Sequence, residues 1–400
     1  MSLNTTPSGD RIHIGIFGKR NAGKSSLINA LTNQKLAIVS DIKGTTTDPV
    51  YKAMELLPLG PIMIIDTPGI DDTGELGKQR ITKSYQVLNK TDIAVVVTDG
   101  LNMSDEDKAL IERIISKNIP YIIVHNKCDT FDTEFKPSNE NEIAVSAESG
   151  KNIYELRELI TKVYHVEDDK ARLVGDLINP SDLLVLVVPI DKAAPKGRLI
   201  LPQQQTIRDI LDADATAIVV KENELCGTLS KLNQKPAMVI TDSQAFAEVS
   251  ANTPLDIKLT SFSILMARYK GILEQTVKGV TAVENLCDGD KILISEGCTH
   301  HRQCDDIGTV KLPRWISSYT GKKPDFHFTS GTEFPDDLKE YKLIIHCGGC
   351  MLNKREVKYR LRCAEEQNVP MTNYGILIAY MNGILKRSVE IFPDIAAMLK

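Results

Sequence analysis

The sequence contains few aromatic residues and no long apolar run. Of its 400 residues, 5% are Phe, Trp or Tyr, and only one is Trp. No apolar stretch approaches the ~20 residues that span a bilayer, so we expect no transmembrane helix. The N-terminal segment lacks a basic stretch followed by an apolar core, so we expect no signal peptide and a cytoplasmic location.

A large excess of charge of one sign is also missing. The chain has 48 Lys and Arg against 53 Asp and Glu, a net charge of −5. This balance argues against a protein that coats nucleic acid, and we expect neither a nucleic-acid nor a membrane partner. The hydrophobic fraction of 42% and the charged fraction of 25% are ordinary for a globular protein and exclude a disordered or fibrous chain.

Cysteine is too sparse for a disulfide scaffold, with eight residues in 400. Its distribution is uneven: Cys128 alone lies in the first 225 residues, and most of the others lie in the C-terminal third. In a reducing compartment, clustered cysteines indicate a metal or redox site.

Apolar strands alternate with helix-length segments along the whole chain, which predicts parallel sheets covered by helices. The pattern is interrupted by a charged stretch at 165–177. We predict an α/β protein of three consecutive α/β units, the first with a mostly parallel sheet. The predicted domains are 1–165, 177–262 and 263–400, with a helical run at 262–278 and no short-period repeat.

A phosphate-binding loop follows the first predicted strand. Residues 18–25 read GKRNAGKS and fit G-x-x-x-x-G-K-S between a strand and a helix. Gly18 and Gly23 let backbone N–H groups surround the phosphates. Lys24 is predicted to contact the β- and γ-phosphates and Ser25 to hold Mg²⁺, with Ser26 beside it at the start of the helix.

Two further segments resemble the magnesium-binding parts of GTPases. Asp66-Thr-Pro-Gly69 ends an apolar strand and resembles the Walker B motif, which would place Asp66 near Mg²⁺ and the Gly69 amide on the γ-phosphate. Residues 44–48 read GTTTD and resemble switch I, with Thr46 as the candidate Mg²⁺ ligand. We therefore predict a P-loop GTPase fold for the first unit.

The base-reading motifs follow in the expected order. Asn126-Lys127-Cys-Asp129 resembles the guanine-reading N-K-x-D, in which the carboxylate accepts two N–H groups that adenine does not offer. Ser146-Ala147 resembles the last guanine-contacting loop. The predicted nucleotide is GTP, and the predicted enzyme activity is GTP hydrolysis.

Hydrolysis by this loop is expected to depend on a monovalent cation. Ras-like enzymes place a water-orienting Gln directly after D-x-x-G, and here that position is Ile70. The loop instead carries Asn21, as in the potassium-activated GTPases that resemble the TrmE/MnmE group. We predict slow hydrolysis that is faster in K⁺, with Lys24, Thr46 and Asn21 as the catalytic candidates; a merely loop-stabilising Asn21 is the alternative.

A second site is predicted at the C-terminal cysteines. Cys298-Thr-His300 and His346-Cys347-Gly-Gly-Cys350 each follow a short apolar strand, where ligands of open α/β sheets gather. Three Cys with one His would make a closed zinc site, whereas three Cys with a labile fourth position would suit a [4Fe–4S] cluster. The spacing does not decide between them.

The GTPase motifs together with C-x-H and H-C-x-x-C resemble one family over the whole chain, the HydF GTPases of [FeFe]-hydrogenase maturation. The resemblance implies a [4Fe–4S] cluster on Cys298, Cys347 and Cys350. It also implies a scaffold or carrier that receives a CO- and CN-bearing diiron precursor, made with the radical-SAM maturases HydE and HydG, and transfers it to the apo-hydrogenase. A homodimer through the middle unit is a further implication.

Two questions stay open at this point. His300, His346 and Asp305 are the candidates for the fourth cluster ligand, and for each histidine a hydrogen bond to a thiolate sulfur is the alternative. The basic run on the following helix is expected to be a solvated face, or else an electropositive rim that attracts an anionic cargo or an acidic partner. Its members are Lys354, Arg355, Lys358, Arg360 and Arg362.

A different class of function remains as the alternative. An RNA-acting GTPase, in tRNA modification or ribosome assembly, could carry a structural zinc site in its C-terminal part. The acidic net charge and the lack of basic-aromatic stretches count against it.

Overall fold

The chain divides into two compact units, residues 1–169 and 170–400. The computed structural model describes residues 6–33, 48–70, 74–131, 135–164, 172–190, 199–298, 306–331 and 333–399. The first unit has one sheet and the second has two, and each unit has its own apolar core.

The first unit is built on one six-stranded sheet of order β2-β3-β1-β4-β5-β6. All its strand pairs are parallel except β2 with β3. The central strands are buried because helices cover both faces, as expected for a sheet of this kind. The strands are β1 Ile12–Gly18, β2 Val50–Leu56, β3 Gly60–Asp66, β4 Ile93–Asp99, β5 Tyr121–Asn126 and β6 Glu142–Ala144.

Four helices cover this sheet, and local sequence sets some of their ends. Ser104 caps α3 by accepting the Asp107 N–H while the Asp107 carboxylate accepts the Ser104 N–H, a reciprocal capping box. Two apolar clusters, one on each face, form the core. The helices are α1 Lys24–Thr32, α2 Gly74–Leu88, α3 Asp105–Ser116 and α4 Ile153–Val163.

The second unit contains two four-stranded sheets, of order β10-β9-β7-β8 and β12-β11-β13-β14, and every strand pair in both is parallel. One apolar cluster includes side chains from both sheets, among them Val185 and Ile344. The strands are β7 Leu183–Val187, β8 Thr216–Val220, β9 Met238–Thr241, β10 Lys258–Ser261, β11 Lys291–Glu296, β12 Asp325–Ser330, β13 Tyr341–His346 and β14 Met371–Asn373.

Three helices of this unit begin where a polar side chain accepts a backbone N–H of the first turn, from Ser261, Asn353 and Asn373. Asn353 Oδ1 accepts the Glu356 N–H at 3.0 Å at the start of α11, directly after the last cysteine loop. The helices are α5 Leu201–Leu211, α6 Leu225–Lys231, α7 Phe246–Asn252, α8 Phe262–Tyr269, α9 Leu273–Gly279, α10 Leu312–Thr320, α11 Lys354–Glu366, α12 Tyr374–Met381, α13 Leu385–Ser388 and α14 Pro393–Ala396.

The predicted fold class is confirmed, with three sheets in series and a mostly parallel first sheet. Three details were wrong. Strands β2 and β10 were not predicted, and the run 262–278 is two helices rather than one. Gly271 separates these helices with φ +74, a conformation that a non-glycine helix residue does not adopt.

The predicted domain limits at 165, 177 and 262 stay a prediction. Within the part of the chain that the structure describes, no helix is both long and apolar enough to cross a membrane.

Candidate nucleotide and cysteine sites

The phosphate loop is shaped by two glycines that no other residue would replace without strain. Gly18 has φ +142, and a Cβ there would lie 2.2 Å from the Val97 carbonyl oxygen. Gly23 has φ +87, and a Cβ there would lie 2.1 Å from Asn126 Nδ2. The close approach of neighbouring strand ends therefore depends on both glycines.

Lys24 is buried and folded back over this loop, with only 8% of its surface exposed. Its Nζ donates to the carbonyl oxygens of Gly18 at 2.8 Å and of Lys19 at 2.6 Å. The ammonium thus lies at the loop, where the predicted contact with phosphates requires it.

Ser25 and Asp66 meet at the carboxyl ends of β1 and β3. Ser25 Oγ donates to Asp66 Oδ2 at 2.8 Å, while Asp66 Oδ1 is buried and accepts no hydrogen bond from the described residues. Burial raises the pKa of Asp66 above its usual range, against the lowering effect of Ser25 and nearby lysines. A buried carboxylate with a free oxygen beside a hydroxyl is a donor set that fits Mg²⁺.

The other predicted residues of the nucleotide site differ in burial, and one of them lies outside the described residues. Gly69 is buried directly after β3, and Ser26 is half-buried in the first turn of α1. Thr46, the predicted switch ligand, lies outside the described residues. Asp48 is described and forms an ion pair with Lys83 of α2.

Lys52 was missed because it lies on the unpredicted strand β2. Its Nζ is buried and has no hydrogen-bond partner among the described residues. Burial lowers the pKa of Lys52, and the Asp66 carboxylate works in the opposite direction. The charge of Lys52 in turn lowers the pKa of Asp66. A lysine in an otherwise apolar strand pattern was the only available signal.

Asn126 joins the base-reading motifs to the phosphate loop. Its Nδ2 donates to the Ala22 carbonyl at 2.8 Å, and its Oδ1 accepts the Ala147 N–H at 3.1 Å. The loop that contains Ser146-Ala147 is thereby held against the end of β5. The structure brings together three segments that are far apart in sequence.

The remaining residues of N-K-x-D point away from this buried contact. Lys127 Nζ pairs with Asp99 Oδ1 at 2.7 Å, and Asp129 is exposed. A hydrogen bond from Ser146 lowers the pKa of Asp129, so its carboxylate is ionised at neutral pH. An ionised, exposed carboxylate matches the acceptor that guanine recognition requires.

Ile70 and Asn21, the two residues on which the hydrolysis hypothesis depends, lie in different environments. Ile70 is 5% exposed and belongs to an apolar cluster that includes Phe17 and Val96, so it cannot orient a water. Asn21 is exposed at the turn of the phosphate loop, with φ +61. Its side chain is therefore accessible to a cation or to solvent.

Two of the predicted cysteine segments leave the sheet side by side. β11 and β13 are parallel neighbours, with Ser295 paired to His346. The Cys347 N–H continues the ladder to the Ser295 carbonyl at 3.0 Å. The Gly297 N–H, one residue before Cys298, donates to Cys347 Sγ at 3.0 Å, and the Gly349 N–H donates to the same sulfur at 3.4 Å.

Burial keeps the thiols protonated in the absence of a metal. It raises the pKa of Cys347, although the two N–H donors and Arg360 work against this. It also raises the pKa of Cys350 to about 11, assisted by the neighbouring Cys347. Two N–H donors on one sulfur stabilise a thiolate, so these sulfurs fit a metal that displaces their protons.

The described residues do not complete a metal site by themselves. No group of three His, Cys, Asp or Glu side chains among them is placed to hold a metal ion. His300 and Asp305 lie outside the described residues, as does Cys304. The seven described cysteines form no disulfide bond, and Cys298 is half-buried.

His346 is fully buried and both of its ring nitrogens are engaged. Nδ1 lies 2.7 Å from the Cys347 carbonyl and Nε2 lies 3.2 Å from Arg360 Nη1. Burial, with the charge of Arg360, lowers the pKa of His346 to about 3. In this arrangement His346 offers no lone pair to a metal and serves as a hydrogen-bonding support of the cysteine loop.

The expected solvated face on α11 was wrong for Arg360. Arg360 is 0% exposed, although Arg362 and Lys358 on the same helix are exposed. The 3.6-residue period turns position 360 inward, where Glu356 Oε1 accepts from its Nε at 3.1 Å. A run of like charges gives no sign of which member is buried.

Lys270 is a second buried cation that was missed. It is 1% exposed, and its Nζ donates to the Leu352 carbonyl at 2.8 Å, just beyond the cysteine loop. Its charge lowers the pKa of Cys350 against the effect of burial.

Three family models match this chain. Residues 13–127 match a model described as 50S ribosome-binding GTPase. Residues 173–271 match the hydrogen maturase F dimerization domain, and residues 274–391 match the hydrogen maturase F tetramerization domain. The first match covers the strands that carry the phosphate loop, Asp66 and Asn126.

Curated relatives resemble only part of the chain. GTPase Der of Wolinella succinogenes is 34% identical over 184 residues, which cover 42% of this chain and 38% of that protein. The tRNA modification GTPase MnmE of Legionella pneumophila is 37% identical over 152 residues, 37% of this chain and 33% of that protein. The chain thus spans little more than a third of the length of these relatives.

A solved structure of an Aquifex aeolicus Era variant bound to GDP and aluminium fluoride aligns with 52% of this chain and 93% of that chain. Its sequence identity is 22% and its TM-score 0.34, an overlap too low to carry a structural comparison.

Proposed function

We propose, since this chain belongs to the hydrogen maturase F family, that it is a GTP-hydrolysing factor of [FeFe]-hydrogenase maturation that carries an iron–sulfur cluster. The observation that supports the cluster most directly is the pair of backbone N–H groups that converge on Cys347 Sγ. The nucleotide part is supported by the Ser25–Asp66 contact and by the Asn126 bridge to the phosphate loop.

We assign a role to each predicted residue of the nucleotide site. Lys24 and the N–H groups of the loop would bind the phosphates, and Ser25 and Asp66 would hold Mg²⁺ together with Thr46. Asp129 accepts the guanine N–H pair, while Asn126 fixes the loops around the base. Asn21 would hold K⁺ near the phosphates, and the cation would supply positive charge there.

In the cysteine site, Cys298, Cys347 and Cys350 would hold a [4Fe–4S] cluster, which supplies an iron with an exchangeable fourth position. His346 orients the loop through the Cys347 carbonyl rather than as a ligand. Low-affinity ligation at the fourth position suits a carrier, because the cargo must also be released. His300 and Asp305 remain the proposed residues for that position.

The proposed cargo is the CO- and CN-bearing diiron precursor, received with the help of the radical-SAM maturases HydE and HydG and transferred to the apo-hydrogenase. The GTP-bound and GDP-bound states would differ in their affinity for these partners. Such a switch can contribute only the difference in partner affinity between its two states. The chain would act as a homodimer in the cytoplasm, in keeping with the dimerization-domain match.

The first experiment measures iron, acid-labile sulfide and zinc after anaerobic reconstitution, together with the EPR spectrum of the reduced protein. About four irons and four sulfides per chain with a reduced [4Fe–4S] signal are expected. GTP turnover is measured in parallel in K⁺ and in Na⁺, with faster hydrolysis expected in K⁺.

The result that would contradict this proposal is a protein that contains zinc in place of the cluster. About one zinc per chain without sulfide would make the cysteines a structural site and would contradict the maturation function. Binding of tRNA or ribosomal RNA at physiological salt would then favour an RNA-acting GTPase.

A further inference from the structure

Arg360 is a fully buried cation of the second unit, and its guanidinium contacts several groups. Its guanidinium donates to Glu356 Oε1 at 3.1 Å, to Ser295 Oγ at 3.1 Å and to the Gly331 carbonyl at 2.7 Å, and its Nη1 lies 3.2 Å from His346 Nε2. Its guanidinium carbon also lies 5.2 Å from the centre of the Phe334 ring. Such a planar fork of donors has no equivalent in lysine.

These partners lie at the carboxyl ends of three neighbouring strands. Ser295 is the penultimate residue of β11, His346 is the last residue of β13, and Gly331 directly follows β12. Cys298 and Cys347 leave the sheet from two of these ends. A single side chain therefore ties together the backbone from which the cysteines emerge.

The bond to His346 extends this contact to the cysteine loop. A guanidinium only donates, so His346 Nε2 is the acceptor and its Nδ1 carries the proton. Nδ1 then donates to the Cys347 carbonyl at 2.7 Å. Arg360, His346 and Cys347 thus form a continuous hydrogen-bonded chain.

We propose that Arg360 is a positioning residue for the thiol-held iron group, fixing the strand ends that present Cys298 and Cys347 and placing a buried positive charge behind Cys347. The proposal rests on the proposed function. The charge is partly offset by Glu356, its ion-pair partner, and opposed by Glu296, whose charge raises the pKa of Cys347. Residues that support metal ligands in this way change metal affinity about 10–100-fold when replaced.

The test compares Arg360→Lys and Arg360→Met with Arg362→Lys and Arg362→Met, the matched exposed arginine on the same helix. Ser295→Ala is a milder variant that removes one acceptor of the Arg360 fork and keeps the charge. Each full-length protein is reconstituted anaerobically. Iron and sulfide content, the rate of iron release to a chelator, the EPR signature and the reduction potential are measured, with thermal unfolding of the metal-free protein as the folding control.

Both Arg360 variants are expected to release iron about 10–100-fold faster than wild type, and Ser295→Ala several-fold faster. The reduction potential falls in Arg360→Met, because the reduced cluster loses a nearby positive charge, and falls less in Arg360→Lys. The Arg362 variants behave as wild type. A folded Arg360→Lys with wild-type release and EPR signature overturns the proposal, and if Arg360→Met does not fold, Arg360→Lys and Ser295→Ala decide it.

Failure of the proposed function would look different. In that case wild type and the Arg362 variants take up no iron–sulfur cluster either, which overturns both proposals. If wild type loads fully and all Arg360 variants load and release alike, only the role of Arg360 is overturned.

Discussion

Gly23 and Asn126 are in such close contact that a Cβ on residue 23 would lie 2.1 Å from Asn126 Nδ2. The same amide nitrogen donates to Ala22, and the amide oxygen accepts from Ala147. One buried side chain therefore holds the phosphate loop and the base-reading loop together. Loss of this contact is expected to weaken binding of the phosphates and of the base together, because the two loops lose the side chain that joins them.

Gly23→Ala is expected to reduce GTP affinity by at least tenfold. The new methyl group displaces Asn126 and also forces a left-handed residue, which by itself costs about 1–2 kcal/mol. A titration with a fluorescent GTP analogue measures the affinity, and thermal unfolding measures the stability.

Gly60→Ala is the control for this substitution. Gly60 has φ +81 but open space around its Cβ position, so it carries the backbone cost without the collision. GTP binding by Gly60→Ala should therefore be unchanged. Equal GTP affinity of the two variants would show that the contact with Asn126 is unimportant for the nucleotide.

Asn21→Ala is expected to abolish the acceleration of GTP hydrolysis by K⁺ while the rate in Na⁺ changes little. The reason is that, in the proposed mechanism, the exposed amide at the turn of the phosphate loop would supply an oxygen ligand to K⁺. Turnover at saturating GTP is compared across a K⁺ titration. Asn33→Ala is the matched control, because Asn33 is also exposed and left-handed, with φ +53 at the end of α1. K⁺ stimulation that survives in Asn21→Ala would reduce Asn21 to a loop-stabilising residue.

Mg²⁺-dependent GTP binding is expected to weaken as the pH falls. This weakening should begin at a higher pH than it would for a carboxylate with an ordinary pKa. The raised pKa of Asp66 means that protons compete with Mg²⁺ above the usual value of about 3.9. Lys52→Met removes a charge that lowers this pKa, so the weakening should move to still higher pH. The Mg²⁺ concentration for half-maximal binding is measured between pH 5 and 8, with Lys108→Met as an exposed control. Identical pH profiles for wild type and Lys52→Met would contradict the coupling.

The same pKa has a consequence for stability. The folded state favours the protonated form of Asp66. The resulting contribution to the free energy of unfolding is fully present below the pKa of Asp66 in the unfolded state, and it is lost as the pH rises through the pKa of Asp66 in the folded state. The free energy of unfolding of the metal-free protein should therefore decrease as the pH rises and Asp66 ionises. Binding of Mg²⁺ and GTP should restore this stability. Thermal unfolding across pH, with and without Mg²⁺ and GTP, measures both effects.

Much of the fold was predictable because buried parallel strands are near-continuous apolar runs. The buried strands Ile93–Asp99 and Tyr121–Asn126 are examples of such apolar runs. Strand β2 was not predicted, because its exposed positions and Lys52 break the apolar pattern of an edge strand. The phosphate loop, Asp66 and Asn126 could be placed in the fold because each lies at the end of a strand.

The environment of the cysteines was less predictable. Spacing made Cys347 and Cys350 candidates, whereas Arg360 and Lys270 are brought close to them only by packing. Arg360 contacts residues 29 to 65 positions away in sequence. Which arginine of a basic run is buried depends on which face of the helix packs against the core. A single sequence does not reveal that face.

The two units are expected to lose their functions separately. Lys24→Ala removes the ammonium at the phosphate loop and should abolish GTP binding. Iron loading of this variant should stay within about twofold of wild type, because Lys24 and Cys347 belong to units with different cores. Cys347→Ser should do the reverse, losing the cluster while hydrolysis stays nearly intact. Iron and sulfide content and GTP turnover are measured on both variants, with Cys226→Ser as the control for loss of an exposed thiol. Collapse of GTP hydrolysis in Cys347→Ser, with Cys226→Ser unaffected, would mean that the cysteine site governs the nucleotide site directly.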